Sequence, residues 1–315
     1  MRLMQTSLKI FKRNSKDMNN YYSIIAPAKL NLNLFVKGKT KNGMHLLESD
    51  ICFLELADKI FFKFSEKDIF LQRNTDKSLQ IDAKNNLILE SLNAFRNLTG
   101  WNKKFKISLD KYIPIGAGLG GGSADAAATL ILLRKLFNME RRSKEVSISN
   151  LYEIANKLGS DIPACLESKN LKLSGYGNKI KRQIVSSNYY YLLVNPNIKL
   201  STKEVFAHFS FQSEQRLVKK KSLLDNITIY NSLLDPAIYL APQIQSILTI
   251  LKTIPDIVTY GMSGSGSTCF GIFNNAKNIK NIHKYFKDDY FIWGGKKRDY
   301  SVNRVRCSKI LENKF

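Results

Sequence analysis

Pro114-Ile-Gly-Ala-Gly-Leu-Gly-Gly-Gly-Ser123 stands between an alternating segment, Phe105–Leu109, and an Ala/Leu-rich run that continues to about Phe137. Five glycines fall within the seven residues Gly116–Gly122. Glycine loses more conformational freedom on folding than any other residue, so this density is costly unless the backbone takes positive φ angles or admits a ligand at close range. Directly behind the loop, Ser123 is a favourable N-cap for the helix that the next residues predict. Exposed amide groups and the positive end of a helix dipole then converge, which makes a cradle for an anion such as a phosphate chain. A flexible linker is the poorer reading, because linkers do not end in a helix cap and an apolar helix.

Three phosphate or nucleophile motifs are tested by this stretch and its surroundings. Walker A requires Lys after the glycines, and none stands there. Gly116-Ala-Gly118-Leu-Gly-Gly121 satisfies GxGxxG, but Asp110, Lys111 and Pro114 interrupt the approach that a dinucleotide loop makes directly from a buried strand. Glu140, at the distance where an acidic ribose partner belongs, sits in a charged Met-Glu-Arg-Arg helix tail. A nucleophile elbow around Ser263 fails because residue 265 is Ser rather than Gly.

Working outward, Tyr21–Ala26 predicts a short strand. In Lys29-Leu-Asn-Leu-Asn-Leu-Phe-Val36 the residues Leu30, Leu32, Leu34 and Val36 share one face, with Lys29, Asn31 and Asn33 on the other. Lys41-Asn42-Gly43 is a hairpin turn signal. Strands are expected at Asp50–Leu56 and Lys59–Phe64, and a helix over Asn86–Leu98 closed by Gly100. Downstream, a helix over Leu151–Leu158 ends at Gly159-Ser-Asp161-Ile-Pro163. A strand at Tyr189–Val194 and a helix at Pro242–Thr253 follow, then a second glycine-rich turn, Gly261-Met-Ser-Gly-Ser-Gly-Ser267, ahead of a strand at Thr268–Phe273. Strands and helices mix without a regular β-α-β-α rhythm, which predicts an α+β protein. The expected division is a basic extension over residues 1–20, one domain over 21–170 and a second over 171–315.

The 315 residues suit two domains with full cores. The most apolar stretch, Ala126–Leu133, breaks at Arg134, far short of the roughly 20 residues of a membrane span. Lys plus Arg exceeds Asp plus Glu by 49 − 26 = +23, a balance that favours anionic partners. The basic runs are short, as at Lys219-Lys220-Lys221 and Lys296-Lys297-Arg298, so the excess reads as solvated surface. Neither an aromatic-basic strand nor a basic helix of the kind that binds RNA is evident, and nucleic acid is not an expected partner. Cys52, Cys165, Cys269 and Cys307 form no CxxC pair, and His45, His208 and His283 add no zinc-ligand cluster. Free thiols in a reducing cytosol are expected. The first twenty residues are basic but lack a signal peptide's apolar segment, and are expected to be a frayed extension, with Met18 an alternative start.

Pro-x-Gly-x-Gly-Leu-Gly-Gly-Gly-Ser-Ala-Asp-Ala-Ala, from Pro114 to Ala127, resembles the ATP loop of the GHMP small-molecule kinases. Pro27-Ala-Lys-Leu-Asn31 looks like that family's first motif and Gly261–Ser267 like its third. Further fragments are Gly43-x-His45, Gly159-Ser-Asp-Ile-Pro163, and Asn195-Pro ahead of Ser201-Thr-x-x-x-Phe206. They are most similar to family members that phosphorylate the 2-hydroxyl of a cytidine-diphosphate-linked methylerythritol, a small-molecule acceptor of isoprenoid precursor synthesis. The resemblance spans about residues 22–275. It implies a two-domain α+β fold: an N-terminal ribosomal-protein-like ATP domain, a C-terminal ferredoxin-like domain and the site in the cleft between them. It also implies ATP and Mg²⁺, a cytoplasmic enzyme, and a monomer or weak homodimer.

Carried onto this chain, the resemblance implies that Lys29 and Asp161 are catalytic. Pro114, Gly116, Ala117, Gly118, Leu119, Gly120, Gly121, Gly122 and Ser123 bind the nucleotide, and Ser123 helps hold Mg²⁺. Asn31, His45, Thr202, Phe206, Ser263, Gly264, Ser265 and Gly266 contact the acceptor. His45 is expected to hydrogen-bond its cytosine and Phe206 to stack on it. Each has a plainer alternative. Lys29 is otherwise a solvated strand lysine, Phe206 a core aromatic, and Ser160 or Asp161 the N-cap of a short helix with Pro163 in its first turn. Met44 stands where many relatives carry Tyr, so a thioether replaces one stacking ring. Asn231-Ser-Leu-Leu-Asp235-Pro matches a family segment loosely and receives no role. A homoserine or mevalonate type kinase of the same family, and a basic nucleic-acid-binding protein, are the alternative functions.

Overall fold

The alternating run that begins at Lys29 is split between two strands: Lys29–Asn31 end a longer one that starts at Asn20, and Phe35 and Val36 open the next. The computed structural model describes residues 20–40, 43–73, 86–141, 145–177, 179–183, 188–210, 222–224, 227–279, 282–298 and 305–309. Its first half runs β1 (Asn20–Asn31), β2 (Phe35–Lys39), β3 (His45–Ser65), β4 (Ile69–Gln72), α1 (Leu87–Thr99), β5 (Lys104–Asp110), α2 (Gly121–Glu140), α3 (Ile148–Leu158) and α4 (Ile162–Glu167). The second half runs β6 (Leu171–Gly175), β7 (Lys179–Arg182), β8 (Tyr190–Asn195), α5 (Thr202–Ala207), β9 (Ser222–Leu224), β10 (Ile227–Ile229) and α6 (Leu234–Leu240). It continues through α7 (Gln243–Thr253), β11 (Ile257–Met262), β12 (Cys269–Phe273), β13 (Phe291–Lys296) and β14 (Val305–Lys309). The extension over 1–19, Lys41 and Asn42 of the hairpin turn, and the lysines at 219–221 lie outside the described residues.

The fold is α+β, as the sequence predicts. One sheet has the order β14-β1-β3-β5-β4, with β2 and the β6–β7 hairpin on the remaining part of β3. The two strands expected at 50–56 and 59–64 are one strand, β3. The second sheet is antiparallel, in the order β11-β12-β8-β13. The expected cut at 170 does not coincide with the boundary between the sheets. Leu171 and Leu173 are buried in the first core, so β6 and β7 stay with the first sheet, and β14 returns to pair with β1.

Among the described residues, buried side chains form three clusters between four layers of helices and sheets. Helices α1–α4 pack on one face of the first sheet, through residues such as Phe53, Phe62, Phe95 and Leu133. Its other face meets the second sheet through Leu30, Leu32, Leu54, Tyr191, Leu193 and Phe270. Helices α6 and α7 cover the outer side of the second sheet with Ala237, Ile244, Ile247 and Leu251. At the centre, alanines 124 and 126–128 let α2 approach the sheet, while Leu130, Leu132 and Leu133 are fully buried. Each such leucine contributes about 2 kcal/mol of transfer free energy. The ends of α1 follow its sequence signals: Asn86 Oδ1 accepts from the Ile88 amide at 2.9 Å, and Gly100 closes the helix at φ +68°.

One irregularity positions the site. The β1–β3 register shifts between Pro27 and Lys29. Before the shift Ile24 and Ala26 face the helices, and after it Ala28 and Leu30 face the second sheet. Across the irregularity β1 advances two residues while β3 advances four, and the faces to which alternate β1 side chains point are exchanged. Lys29 and Asn31 are thereby turned toward the helical side, where the glycine loop lies. Among the described residues, no helix is long and apolar enough to cross a membrane.

Candidate active site

A cleft of about 560 Å³ opens between the glycine loop, the end of β1, the start of α4 and the second sheet's loops. The loop's geometry explains its glycines. Gly116, Gly118 and Gly120 have φ of +67°, +74° and +64°, where side chains are disfavoured. A Cβ on Gly118 would lie 2.3 Å from the Ser263 carbonyl oxygen and 2.8 Å from that of Gly266. The two glycine-rich segments therefore cross with backbone against backbone. Leu119 anchors the crossing: its side chain is buried between the sheets, and its carbonyl accepts the Lys29 amide at 2.9 Å.

Ser123 is not the N-cap. Gly120, in the left-handed region, takes that position, and Ser123 is the third residue of the first turn. Glycine at 121 and 122 lets the helix begin three residues earlier than the serine signal implies. The first intrahelical bond runs from the Ala124 amide to the Gly120 carbonyl at 2.9 Å. The amides of Gly121, Gly122 and Ser123 precede it and are the donors a helix N-terminus offers to an anion.

Lys29, only 5% exposed, places Nζ 3.1 Å from Asp161 Oδ2 and 2.7 Å from Asn31 Oδ1. Asp161 stands at the N-cap position of α4, with Pro163 in the first turn, yet its carboxylate makes no cap hydrogen bond. It is directed to Lys29 instead. Asn31 donates from Nδ2 to Ser49 Oγ at 2.8 Å and from its amide to Ser263 Oγ at 3.1 Å. Ser263 Oγ in turn donates to the Gly118 carbonyl at 2.9 Å. One hydrogen-bond chain thus joins all three motifs.

The acceptor-side residues divide. Thr202 meets Ser265 through their hydroxyls at 3.0 Å, and both line the cleft with Phe206 and Gly264. Ser263 and Gly266 instead support the loop from behind it. His45 does not line the cleft: its ring stacks on Phe206, with centroids 4.5 Å apart and planes at 29°. Burial, and then the Lys39 charge, lower its pKa. Met44 is exposed.

Several site residues escaped the sequence reading. Lys111 Nζ is buried between Asp58 Oδ2 at 2.5 Å and Asp125 Oδ2 at 2.8 Å. Asp58 Oδ1 also accepts the amides of Tyr112 and Ile113, at 2.6 and 2.9 Å, which fixes the entry to the glycine loop. Burial opposes the Lys111 charge, but the two carboxylates outweigh it and raise its pKa. Burial raises that of Asp125, against the pull of Lys111. Asn86 Nδ2 and Asp125 Oδ1 are buried polar atoms without a hydrogen-bond partner, on residues that line the cleft. Asn231 donates from Nδ2 to the carbonyls of Met262 and Gly264, both at 2.8 Å, and so holds the second glycine turn. Lys111 and Asp125 are visible in the sequence, but only their proximity to Asp58 reveals a unit.

Residues 86–169 match the GHMP kinases N terminal domain, a family that takes the transferred phosphate from ATP. Over 257 residues, 79% of this chain and 84% of the relative, the sequence is 36% identical to a 4-diphosphocytidyl-2-C-methyl-D-erythritol kinase of Rhizobium etli. Over 284 residues, 86% and 92%, it is 34% identical to one of Granulibacter bethesdensis. This chain belongs to the 4-diphosphocytidyl-2-C-methyl-D-erythritol kinase family. A crystal structure of 4-(cytidine 5'-diphospho)-2C-methyl-D-erythritol kinase superposes on it with TM-score 0.71 at 25% identity, covering 87% of this chain and 98% of that one. A homoserine kinase from Cytophaga hutchinsonii shares the fold alone, with TM-score 0.65 at 15% identity over 95% of this chain and 100% of that one. The glycine loop of this chain opens the helix at the centre of the first core.

Proposed function

We infer that this chain is an ATP-dependent kinase that phosphorylates the 2-hydroxyl of 4-diphosphocytidyl-2-C-methyl-D-erythritol. The observation that carries the reading is the Lys29–Asp161 pair at the mouth of a glycine cleft backed by the first turn of α2. Phosphoryl transfer needs in-line positioning and charge stabilisation more than covalent work by the protein. The amides of Gly121–Ser123 hold the triphosphate. Asn86 Nδ2 and Asp125 Oδ1, one donor and one acceptor, match the edge of an aminopurine and support an adenine site beside Leu87 and Ile88.

Asp161 orients the acceptor hydroxyl and takes its proton as the oxygen–γ-phosphorus bond forms and the bond to the bridging oxygen of ADP breaks. A carboxylate is a weak base, so orientation is its larger contribution. Lys29 pairs with the Asp161 carboxylate and neutralises charge that develops on the attacking oxygen. Among the described residues there is no cluster of three or more acidic, His or Cys ligands. That fits Mg²⁺ held mainly by nucleotide phosphates, with the Ser123 hydroxyl as a protein ligand; when bound, the ion neutralises phosphate charge. We read residues 20–182 with 305–309 as the nucleotide and catalytic part and 188–298 as the acceptor part.

A coupled ADP-release assay with the cytidyl acceptor, run beside homoserine and mevalonate, tests the reading. The expected result is turnover of the cytidyl acceptor with kcat/KM at least a hundredfold above the other two. Preferential turnover of homoserine or mevalonate would overturn it.

A further inference from the structure

Resting on that function, we propose that Tyr176 contacts the acceptor and positions its diphosphate-bearing middle between the nucleobase end and the reacting hydroxyl. Tyr176 is the first residue of the turn that joins β6 to β7, and 46% of its surface is exposed. A single exposed tyrosine on a turn needs no explanation by itself. This one lines the catalytic cleft with Ser160 and Asp161.

Two constraints locate it. Gly175 pairs with Leu47 in the β3–β6 register, two residues along from His45, so the turn starts beside the strand that carries His45. Gly177 seats against the other wall: a Cβ there would lie 3.3 Å from the Ser160 carbonyl oxygen, adjacent to Asp161. Three residues therefore bridge the acceptor's expected base end and the catalytic carboxylate. Gly175 and Gly177 take φ of +72° and +94°, a backbone that holds Tyr176 at the cleft wall.

The chemistry suits a nucleoside diphosphate ester. A phenol is a hydrogen-bond donor for a phosphate oxygen, and its ring gives an apolar surface for sugar carbons at little conformational cost. Leu47 and Leu173, the strand residues near the turn that also line the cleft, offer no such donor.

The test compares Y176A and Y176F with the unaltered enzyme, measuring KM for the cytidyl acceptor, KM for ATP, and thermal midpoint. Y176A is expected to raise the acceptor KM about tenfold and leave the ATP KM within twofold, with Y176F under threefold. The residue is exposed, so the midpoint stays within about 2 °C. An acceptor KM within twofold for Y176A, or a parallel rise in both KM values, overturns the proposal. Failure of the unaltered enzyme to use the cytidyl acceptor would instead overturn the functional reading.

Discussion

Lys29 Nζ lies 3.1 Å from Asp161 Oδ2 although the two residues come from the end of β1 and the start of α4, on opposite sides of the glycine loop. The ammonium is nearly enclosed and the carboxylate partly open to the cleft, so an incoming hydroxyl can reach Asp161. Asp161→Asn keeps the shape of the pair and removes the proposed proton acceptor. Its kcat is expected to fall by about 10²–10⁴, the range for a positioned general base, while ATP affinity stays within about twofold. Steady-state kinetics paired with nucleotide titration check this. A kcat within about tenfold of the unaltered enzyme, a barrier change of only ~1.4 kcal/mol, would remove Asp161 from the role.

Gly118→Ala and Gly43→Ala separate backbone strain from steric exclusion. Both glycines have positive φ, +74° and +79°. A methyl group on Gly43 meets nothing within 4 Å, whereas on Gly118 it would enter the contact with the Ser263 and Gly266 carbonyls. Gly43→Ala should lose about 1–2 kcal/mol, the cost of a left-handed alanine. Gly118→Ala should lose more, and ATP affinity with it, because the two loops must move apart. Urea unfolding and ATP binding of the two variants decide it; equal losses would mean that the crossing is not sterically closed.

The tight glycine loop and the helix behind it were legible because so many glycines ahead of an apolar run have few other physical uses. Lys29 and Asn31 were legible as one face of a strand, but not as a buried face. That depended on the register slip at Pro27, which leaves no signature in local alternation. Ser123 misled because a serine before an apolar run is a standard cap signal, and glycines able to start the helix earlier compete with it. Asp58, Lys111 and Asp125 come from β3, the entry to the glycine loop and α2, so their union exists only in three dimensions. The strand pairing that carries β6 and β7 back to the first sheet is likewise non-local, and the cut at 170 missed it.

That buried trio holds two carboxylates to one ammonium, and the two acids should answer mutation differently. The folded pKa of Asp125 is raised by burial above its unfolded value. Its favourable contribution is therefore complete below the unfolded value of about 3.9 and is lost as pH rises through the folded one. Asp125→Asn removes this loss, so its stability relative to the unaltered protein should improve from pH 4 to pH 8. Asp58→Asn should be destabilising by about 3–5 kcal/mol at neutral pH, since it breaks a buried pair. Urea unfolding of both variants at the two pH values is the check. An Asp125→Asn difference that is flat with pH would contradict a raised Asp125 pKa.

On the acceptor side, the His45 ring lies on the Phe206 face expected to receive the base. Either the base stacks on the opposite face of Phe206 or it displaces His45 on entry. Both routes make Phe206→Ala costly to the acceptor alone, with an expected rise of about tenfold in acceptor KM and none in ATP KM. Stability reports the resting stack separately. A double-mutant cycle on His45→Ala and Phe206→Ala should give a coupling of about 0.5–1.5 kcal/mol, the range for packed aromatic rings. Burial, reinforced by Lys39, lowers the His45 pKa, so the folded protein resists the proton that the unfolded chain accepts near pH 6.5. Stability should therefore decline as pH falls from about 6.5 toward the lowered folded value, and His45→Gln should flatten that slope. Additive unfolding energies in the cycle, with an unchanged slope in His45→Gln, would show that the rings are apart in solution.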